Sequence, residues 1–360
     1  MPDSPPPWIR PALLWSLEGR SARCGLCERR CLIPPGKFGF CRTREFSNGE
    51  LLTHCYGNLS AVESRPIEIK PFYHYWPGST ALTFSTWSCN LACMWCQNYH
   101  LSRTPPYASK SDYIPPERLL DEALASGDWG LCASFQEPTL LYEYCVDLFP
   151  LARQKGLYCC FVSNGYMTSE ALSGLVRAGL DGLKIDIKGN QEVYSNHCGH
   201  ADASVPWRRA EEAVKLGIHV EIVNLLVTDL NDSEDDVREL VEEHLRRLGP
   251  NVPLHFTRYH PAHRFTRPPT PPSRLERARE LAFRLGVRFP YVGNLRGHRY
   301  ESTWCPSCKR LLILREGPCV IEYNVTPEGK CPSCGEPIPI TGRGGPSHLV
   351  GRLRPFPLDN

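Results

Sequence analysis

The chain has 360 residues, of which 41% are hydrophobic and 22% charged, and no apolar run approaches the roughly eighteen residues of a membrane helix. Its 41 Lys and Arg against 39 Asp and Glu give a formal charge of +2, which favours no polyanionic partner, although nucleic acid stays possible. We therefore expect no membrane association and no extended disorder, but one large domain with one or two small ones.

Cysteine is unusually frequent, with 18 residues. The chain begins Met-Pro-Asp-Ser-Pro-Pro-Pro, which lacks the charged and apolar segments of a signal peptide, so we expect a reducing, cytoplasmic location. In that compartment clustered thiols bind metals or iron–sulfur clusters rather than form disulfides. Eleven cysteines lie in three sets, and we predict no chemistry for the other seven, which are Cys55, Cys132, Cys145, Cys159, Cys160, Cys198 and Cys319.

The first set lies in residues 1–75, which we interpret as an N-terminal four-cysteine module with a lead-in. Its spacings of two, three and nine residues supply four candidate ligands, Cys24, Cys27, Cys31 and Cys41. Zinc and an iron–sulfur cluster both remain open here, and zinc is favoured by analogy with structural sites in general.

The second set follows a predicted strand at 81–87 and contains three cysteines, Cys89, Cys93 and Cys96. Three thiolates at spacings of three and two residues leave one coordination position of a metal or cluster unfilled. An open position is where an external ligand can bind. The alternative is a zinc site that takes a distant fourth ligand.

This pattern, with Trp95 just before the last cysteine, resembles the signature of radical S-adenosylmethionine (radical SAM) enzymes. The resemblance implies a [4Fe–4S] cluster on the three cysteines and S-adenosylmethionine (SAM) on the free iron, with Trp95 near the adenine. Cleavage of SAM in that family gives methionine and a 5′-deoxyadenosyl radical that abstracts hydrogen from the substrate. Segments at 66–79, 96–98 and 291–298 resemble the activating-enzyme branch, which includes pyruvate formate-lyase activating enzyme, and within it the radical SAM protein of the AmmeMemoRadiSam set.

Five further apolar segments alternate with helical patterns after the cysteines, so we predict an α/β fold. The strands are expected at 130–135, 158–163, 182–187, 218–227 and 252–259, and the helices at 116–126, 139–154, 168–178, 210–216, 233–248 and 272–285. With the family resemblance, six such units predict a partial (βα)6 TIM-like barrel over residues 76–298.

Polar residues at the ends of the strands are the next candidates, because function gathers at the carboxyl ends of barrel strands. The resemblance implies cofactor contacts for Glu137, Asn164, Asp186, Lys188 and His260. Each also has an ordinary alternative, such as a helix-start Glu, an Asn-Gly turn, a solvated charged face or a core histidine. Gln136 departs from the family's glycine at its position.

The third cysteine set lies in residues 299–342 and consists of two matched Cys-Pro-Ser-Cys pairs separated by 22 residues, Cys305, Cys308, Cys331 and Cys334. This spacing predicts a zinc-ribbon-like or rubredoxin-like module around one ion, with zinc as the expected metal. Residues 343–360 are expected to form a tail.

The sequence therefore predicts an activating-enzyme-like radical SAM oxidoreductase that acts on a protein, with a glycyl residue as one specific version, or on another macromolecule. A flavodoxin or ferredoxin would donate electrons. Three alternatives stay open: modification of RNA, group transfer from SAM in place of hydrogen abstraction, and a non-catalytic zinc-binding interaction protein.

Overall fold

The computed structural model describes residues 6–108 and 113–347. Its N-terminal part forms two small antiparallel sheets. Asn48 and Gly49, both with positive φ, make the two-residue turn between β6 and β7, as expected for a tight hairpin. The strands are β1 (Arg10–Pro11), β2 (Trp15–Glu18), β3 (Ser21–Cys24), β4 (Leu32–Ile33), β5 (Lys37–Phe38), β6 (Arg44–Ser47) and β7 (Glu50–Thr53).

A single eight-stranded sheet follows, and its strands lie in the order of the chain. The last seven are parallel, and β8 pairs antiparallel with β9 at one edge. The strands are β8 (Ala61–Pro66), β9 (Thr80–Ser85), β10 (Gly130–Ala133), β11 (Tyr158–Ser163), β12 (Gly182–Ile187), β13 (His219–Leu226), β14 (Leu254–Arg258) and β15 (Pro290–Gly293). The predicted α/β partial-barrel class is confirmed.

The sheet is wider than the six predicted strands, by one strand at each edge. Strand β15 has only four residues, begins with proline and ends with glycine, so it carries no strand-like pattern. Strand β8 contains Glu63 and Arg65, which suit an exposed edge better than a covered sheet. In contrast, the central β10 and β11 are almost wholly buried, and their apolar runs predict strands directly.

Helices connect the parallel strands and pack beside one another in chain order. Caps set several of their ends: the Thr168 side chain accepts the Ala171 N–H at 3.1 Å, and Gly179 closes the same helix with φ +119°. The short α1 and α5 were not predicted. The helices are α1 (Tyr99–Ser102), α2 (Pro116–Ala125), α3 (Tyr142–Gln154), α4 (Ser169–Ala178), α5 (Gln191–His197), α6 (Ser204–Lys215), α7 (Glu234–Leu248) and α8 (Pro272–Leu285).

A buried ion pair anchors the N-terminal module to the barrel. The Arg44 guanidinium bonds Glu143 on α3, and both side chains are almost fully buried. Glu143 also accepts the Leu13 N–H at 2.8 Å, while Arg44 donates to the Leu13 carbonyl at 2.7 Å. The module is therefore fixed to α3 by paired charges rather than by apolar contact alone.

The C-terminal module forms a third antiparallel sheet of β16 (Thr303–Trp304), β17 (Leu311–Glu316) and β18 (Cys319–Tyr323). Its fully buried Arg315 donates to the Tyr73 carbonyl at 2.6 Å. Tyr75 in turn bonds Asp181, just before β12. Residues 70–77 are thus held between this module and the amino ends of the barrel strands. Of the predicted tail, residues 348–360 lie outside the described part.

A buried carboxylate organises this amino end of the barrel. Glu221 on β13 is fully buried and accepts hydrogen bonds from His219 at 3.0 Å and His255 at 2.6 Å. It also accepts the backbone N–H groups of Tyr73 and His74 at 2.9 and 2.8 Å. Burial alone would raise the pKa of Glu221, but these two histidines more than offset it and hold the pKa well below its usual range.

No helix in the described ranges is long and apolar enough to cross a membrane.

We expect Glu221→Ala to destabilise the protein by about 3–5 kcal/mol, because four donors would lose their buried acceptor. Glu221→Gln should cost less, since it keeps the volume and one acceptor oxygen. The matched control is Glu242→Ala at an exposed position on α7, which should change stability by less than about 0.5 kcal/mol. Urea unfolding of the metal-loaded protein measures all three, and a neutral Glu221→Ala would contradict the expectation.

The buried His74 should make the folded protein less stable in mild acid. Burial lowers its pKa to about 3, whereas an unfolded histidine titrates near 6.5. The folded state thus keeps His74 neutral, and its contribution is complete above about pH 6.5 and falls as the unfolded chain takes up the proton. Between pH 6.5 and 5, His74→Gln should reduce the slope of unfolding free energy by up to about 1.4 kcal/mol per pH unit. The exposed-site control His100→Gln should keep the wild-type slope.

Candidate functional site

The three-cysteine loop, residues 86–98, follows β9 at the carboxyl end of the sheet and leads into α1. Ser88 in this loop and Phe135 after β10 both have φ of +70°, a strained conformation for residues other than glycine. The Asn98 side chain donates to the Phe135 carbonyl at 2.6 Å and joins the two segments. One residue with left-handed backbone thus follows each of strands β9 and β10.

Asn164 at the end of β11 reaches the cysteine loop directly. Its Nδ2 lies 3.7 Å from the Cys89 sulfur and donates to the Asn90 side chain at 2.8 Å. Glu137 lies beneath Asn164 and accepts its backbone N–H at 2.8 Å. The other Glu137 oxygen accepts hydrogen bonds from Ser163 and from the hydroxyl and N–H of Thr139. Glu137 therefore holds the Asn164 segment in place, with most of its acceptor capacity used by the chain.

Lys184, Asp186 and Lys188 form one row at the end of β12. Asp186 bonds Lys184 through one oxygen and Lys188 through the other, the latter at 2.9 Å. Burial would raise the pKa of Asp186, but the two ammonium groups hold it well below its usual range. Lys188 also interacts electrostatically with Cys93. The row carries a net positive charge beside the cysteine loop.

Trp95 is only 3% exposed and belongs to an apolar cluster with Tyr194 and Tyr259. Its ring also lies edge-on to Phe265 at 5.9 Å between centroids. The segment after β14 crosses the loop, since the Arg264 N–H donates to the Met94 carbonyl at 2.9 Å. His260 lies at the start of this segment, exposed beyond the end of β14.

Cys198 is the cysteine that the sequence analysis missed. It follows α5, and its sulfur lies 3.8 Å from that of Cys93. This hydrogen bond, opposed by burial, lowers the pKa of Cys93 to about 7. Backbone bonds from Ala92 and Met94 to the carbonyls of Cys198 and His197 fix α5 against the loop. No sequence signal could have identified it, because its position depends on the unpredicted α5.

Two features show that the site fits a polar ligand beside a cluster. Both amide atoms of Gln136, at the end of β10, are shielded from solvent and have no hydrogen-bond partner in the described structure. A buried amide is rarely left unpaired unless a ligand or water completes it. The second feature is the three sulfur atoms themselves, which are the donors that iron–sulfur clusters take.

The other two cysteine sets are also assembled. The C-terminal sulfurs lie within 4.8 Å of one another, with Cys305 3.5 Å from Cys334 and Cys308 3.6 Å from Cys331. Such an arrangement suits one tetrahedral ion. The N-terminal cysteines line a common cavity, which also contains Arg29, Arg44 and Asn90 and which is bounded by Cys24, Cys27, Cys31 and Cys41.

The three-cysteine loop lies in a part of the chain that matches a known protein family. The sequence model of the radical SAM superfamily, a protein family, matches residues 85–244. These residues contain the three-cysteine loop and strands β10 to β13. The uncharacterized protein MJ0808 of Methanocaldococcus jannaschii is 36% identical over 336 residues, which cover 92% of this chain and 99% of that protein.

Three solved structures are similar to this chain at lower identity. SuiB of Streptococcus suis, bound to S-adenosylmethionine, is 12% identical with a TM-score of 0.48, covering 59% of this chain and 52% of SuiB. This chain therefore spans about half the length of SuiB. A domain of the pyruvate-formate lyase-activating enzyme of Bacteroides vulgatus is 16% identical, with a TM-score of 0.40 and coverages of 46% and 99%. A radical SAM methyltransferase of Sphaerobacter thermophilus is 15% identical, with a TM-score of 0.46 and coverages of 59% and 66%.

None of these matches tests the AmmeMemoRadiSam assignment, which stays a prediction. The superfamily match covers the loop and the strand ends that meet it, and the family's cofactors are SAM and an iron–sulfur cluster. The chain belongs to the radical SAM superfamily.

Proposed function

We propose that this protein is a radical enzyme whose three-cysteine loop holds a site-differentiated [4Fe–4S] cluster. With SAM bound to that cluster, reductive cleavage of the sulfonium supplies methionine and a 5′-deoxyadenosyl radical that abstracts hydrogen from a substrate. The protein's part is to hold the ligands, exclude water and orient the substrate.

The observation that carries the proposal is the contact of two strand ends with the cysteine loop. Asn164 after β11 meets the Cys89 sulfur at 3.7 Å, and Lys188 after β12 acts on Cys93 by its charge. A loop held at the carboxyl ends of barrel strands is the position of function in such folds. A zinc-binding scaffold requires no such convergence.

Different residues around the loop would bind different parts of SAM. We propose that the charged row at the end of β12 receives the methionine carboxylate, because two ammonium groups surround a single Asp186 carboxylate. The unpaired Gln136 amide completes the polar end of the site. Trp95 provides an apolar wall for the adenine, with His260 at the exposed rim.

Glu137 has a supporting part in this proposal. Its carboxylate binds the backbone of Asn164 and the hydroxyl of Ser163, both at 2.8 Å. It therefore sets the position of the Asn164 side chain at the cysteine loop.

The substrate class that we propose is a protein, with a glycyl backbone as one specific target, or another macromolecule. In the described part of the chain the edge strands β8 and β15 are not paired with each other, so the barrel is open along one side. An open side admits a large substrate. A reduced flavodoxin or ferredoxin would supply the electron, and a cytoplasmic location suits both partners.

The cofactor proposal predicts a complete loss of product with Cys93→Ala. Anaerobic protein incubated with SAM and dithionite should form 5′-deoxyadenosine, measured by liquid chromatography, and Cys93→Ala should reduce it at least 100-fold. The matched control is Cys145→Ala, which removes a buried thiol on α3 outside all three sets and should retain product formation. Equal product from Cys93→Ala and wild type would contradict the assigned ligand, and no product from wild type would contradict the activity.

Cys198 provides the test of the open coordination position. We expect Cys198→Ala to keep the iron and acid-labile sulfide of the three-cysteine loop, because its thiol contacts the sulfur of Cys93 rather than completing the set. Iron content and the visible charge-transfer absorption measure this, with Cys93→Ala as the variant that loses the cluster. A loss of about four irons from Cys198→Ala would make it a fourth ligand and remove the site for SAM.

A further inference from the structure

The two four-cysteine sets of this chain differ in the spacing of their sulfur atoms. Four thiolates bound to one zinc at about 2.3 Å lie roughly 3.8 Å apart in a tetrahedron. The C-terminal pairs, at 3.5 and 3.6 Å, match this closely. That set is thus arranged for a single ion.

The N-terminal set is wider. Of all described His, Cys, Asp and Glu residues, the C-terminal set alone brings three or more ligand atoms within 4.8 Å of one another. The thiols of Cys24, Cys27, Cys31 and Cys41 instead surround a shared cavity. In a [4Fe–4S] cluster each thiolate binds a different iron, so the core holds the sulfurs farther apart than one ion does. The wide arrangement therefore favours a cluster over zinc.

Unused hydrogen-bond donors of the cavity give a second, independent observation. Arg44 is 1% exposed and Asn90 fully buried, and both line the cavity. Neither Nε of Arg44 nor Nδ2 of Asn90 has a hydrogen-bond partner in the described structure. The Phe40 N–H already donates to the Cys31 sulfur at 3.5 Å. Inorganic sulfides and thiolates accept such bonds, which tune iron–sulfur clusters.

The cavity also adjoins the three-cysteine loop. Ser88, the residue before Cys89, donates its hydroxyl to the carbonyl of Cys41. Arg29 donates to the Asn90 carbonyl at 2.8 Å. Cys41 of the N-terminal set is thus connected to Cys89 of the three-cysteine loop through one hydrogen bond and one peptide bond.

We propose that Cys24, Cys27, Cys31 and Cys41 hold a second iron–sulfur cluster, a [4Fe–4S] centre fully ligated by the chain, beside the catalytic loop. This replaces the zinc that analogy with structural sites in general favours at this site. The assignment stands on the geometry of the N-terminal set and does not require the catalytic cluster to be active.

The test counts metals and acid-labile sulfide in full-length protein purified without oxygen. Wild type should contain about eight irons and one zinc per chain. Cys24→Ser/Cys41→Ser should lose about four irons and keep the zinc, whereas the matched double variant Cys305→Ser/Cys308→Ser should lose the zinc and keep the iron. If the C-terminal ion is iron, that second variant loses one iron instead.

A variant without the catalytic ligands separates this proposal from the proposed function. Cys89→Ala/Cys93→Ala/Cys96→Ala should retain about four irons and a cluster absorption spectrum. Its iron would then belong to the N-terminal set. If this triple variant retained all of the wild-type iron, the three-cysteine loop would hold no cluster. The Cys24→Ser/Cys41→Ser variant would then decide whether the iron belongs to the N-terminal set.

The proposal is overturned by either of two results. One is wild type with two zinc ions or with an empty N-terminal site, and the other is a Cys24→Ser/Cys41→Ser variant that loses zinc or no metal. If that double variant does not fold, the wild-type iron count and its Mössbauer spectrum decide between one and two cubanes.

Discussion

Three cysteines within eight residues can face one space only if the backbone between them is held, and the loop has no regular structure of its own. Four surrounding parts of the chain supply the hold. The N-terminal module bonds Ser88 and Asn90, the end of α5 bonds Ala92 and Met94, and Arg264 beyond β14 bonds the Met94 carbonyl. Asn164 closes the remaining side. The site therefore depends on the whole fold rather than on the cysteine spacing alone.

The two ends of the barrel differ in how their buried charges are satisfied. At the amino end, Glu221 accepts hydrogen bonds from two histidines and two backbone groups, so this carboxylate has no acceptor capacity left for a ligand. At the carboxyl end, Asp186 is shared by two lysines, and the Gln136 amide is unpaired. A carboxylate whose acceptor sites are all used by the chain stabilises the structure, whereas a buried amide is rarely left unpaired unless a ligand or water completes it.

The sequence predicts the parts of this architecture that depend on local pattern. The bounds of β11 follow from its continuous apolar run and those of β12 from its alternation of aliphatic and charged residues, and the Asn164 and Asp186 positions follow from where those strands end. Strand β15 and helix α5 lack such patterns, so Cys198 was not assigned to the site. The sequence also could not show that the sulfur atoms of the two four-cysteine sets are spaced differently, because spacing along the chain does not determine the distance between folded sulfur atoms. Nor could it show that His260 is exposed.

The C-terminal module has its own physical role, distinct from that of the cysteine loop. Its apolar cluster includes Tyr73, Phe289 and Tyr291 from the barrel, so the module has little core of its own. Arg315 of this module bonds the Tyr73 carbonyl, and the Tyr73 N–H bonds Glu221. An ion bound by the four-cysteine set of this module would thus also order the chain segment whose N–H groups donate hydrogen bonds to the buried Glu221. That chain of contacts ends at the amino ends of the barrel strands. Loss of an ion from the C-terminal module should therefore loosen the barrel at those amino ends, whereas the order of the three-cysteine loop depends on its own ligands at the carboxyl ends.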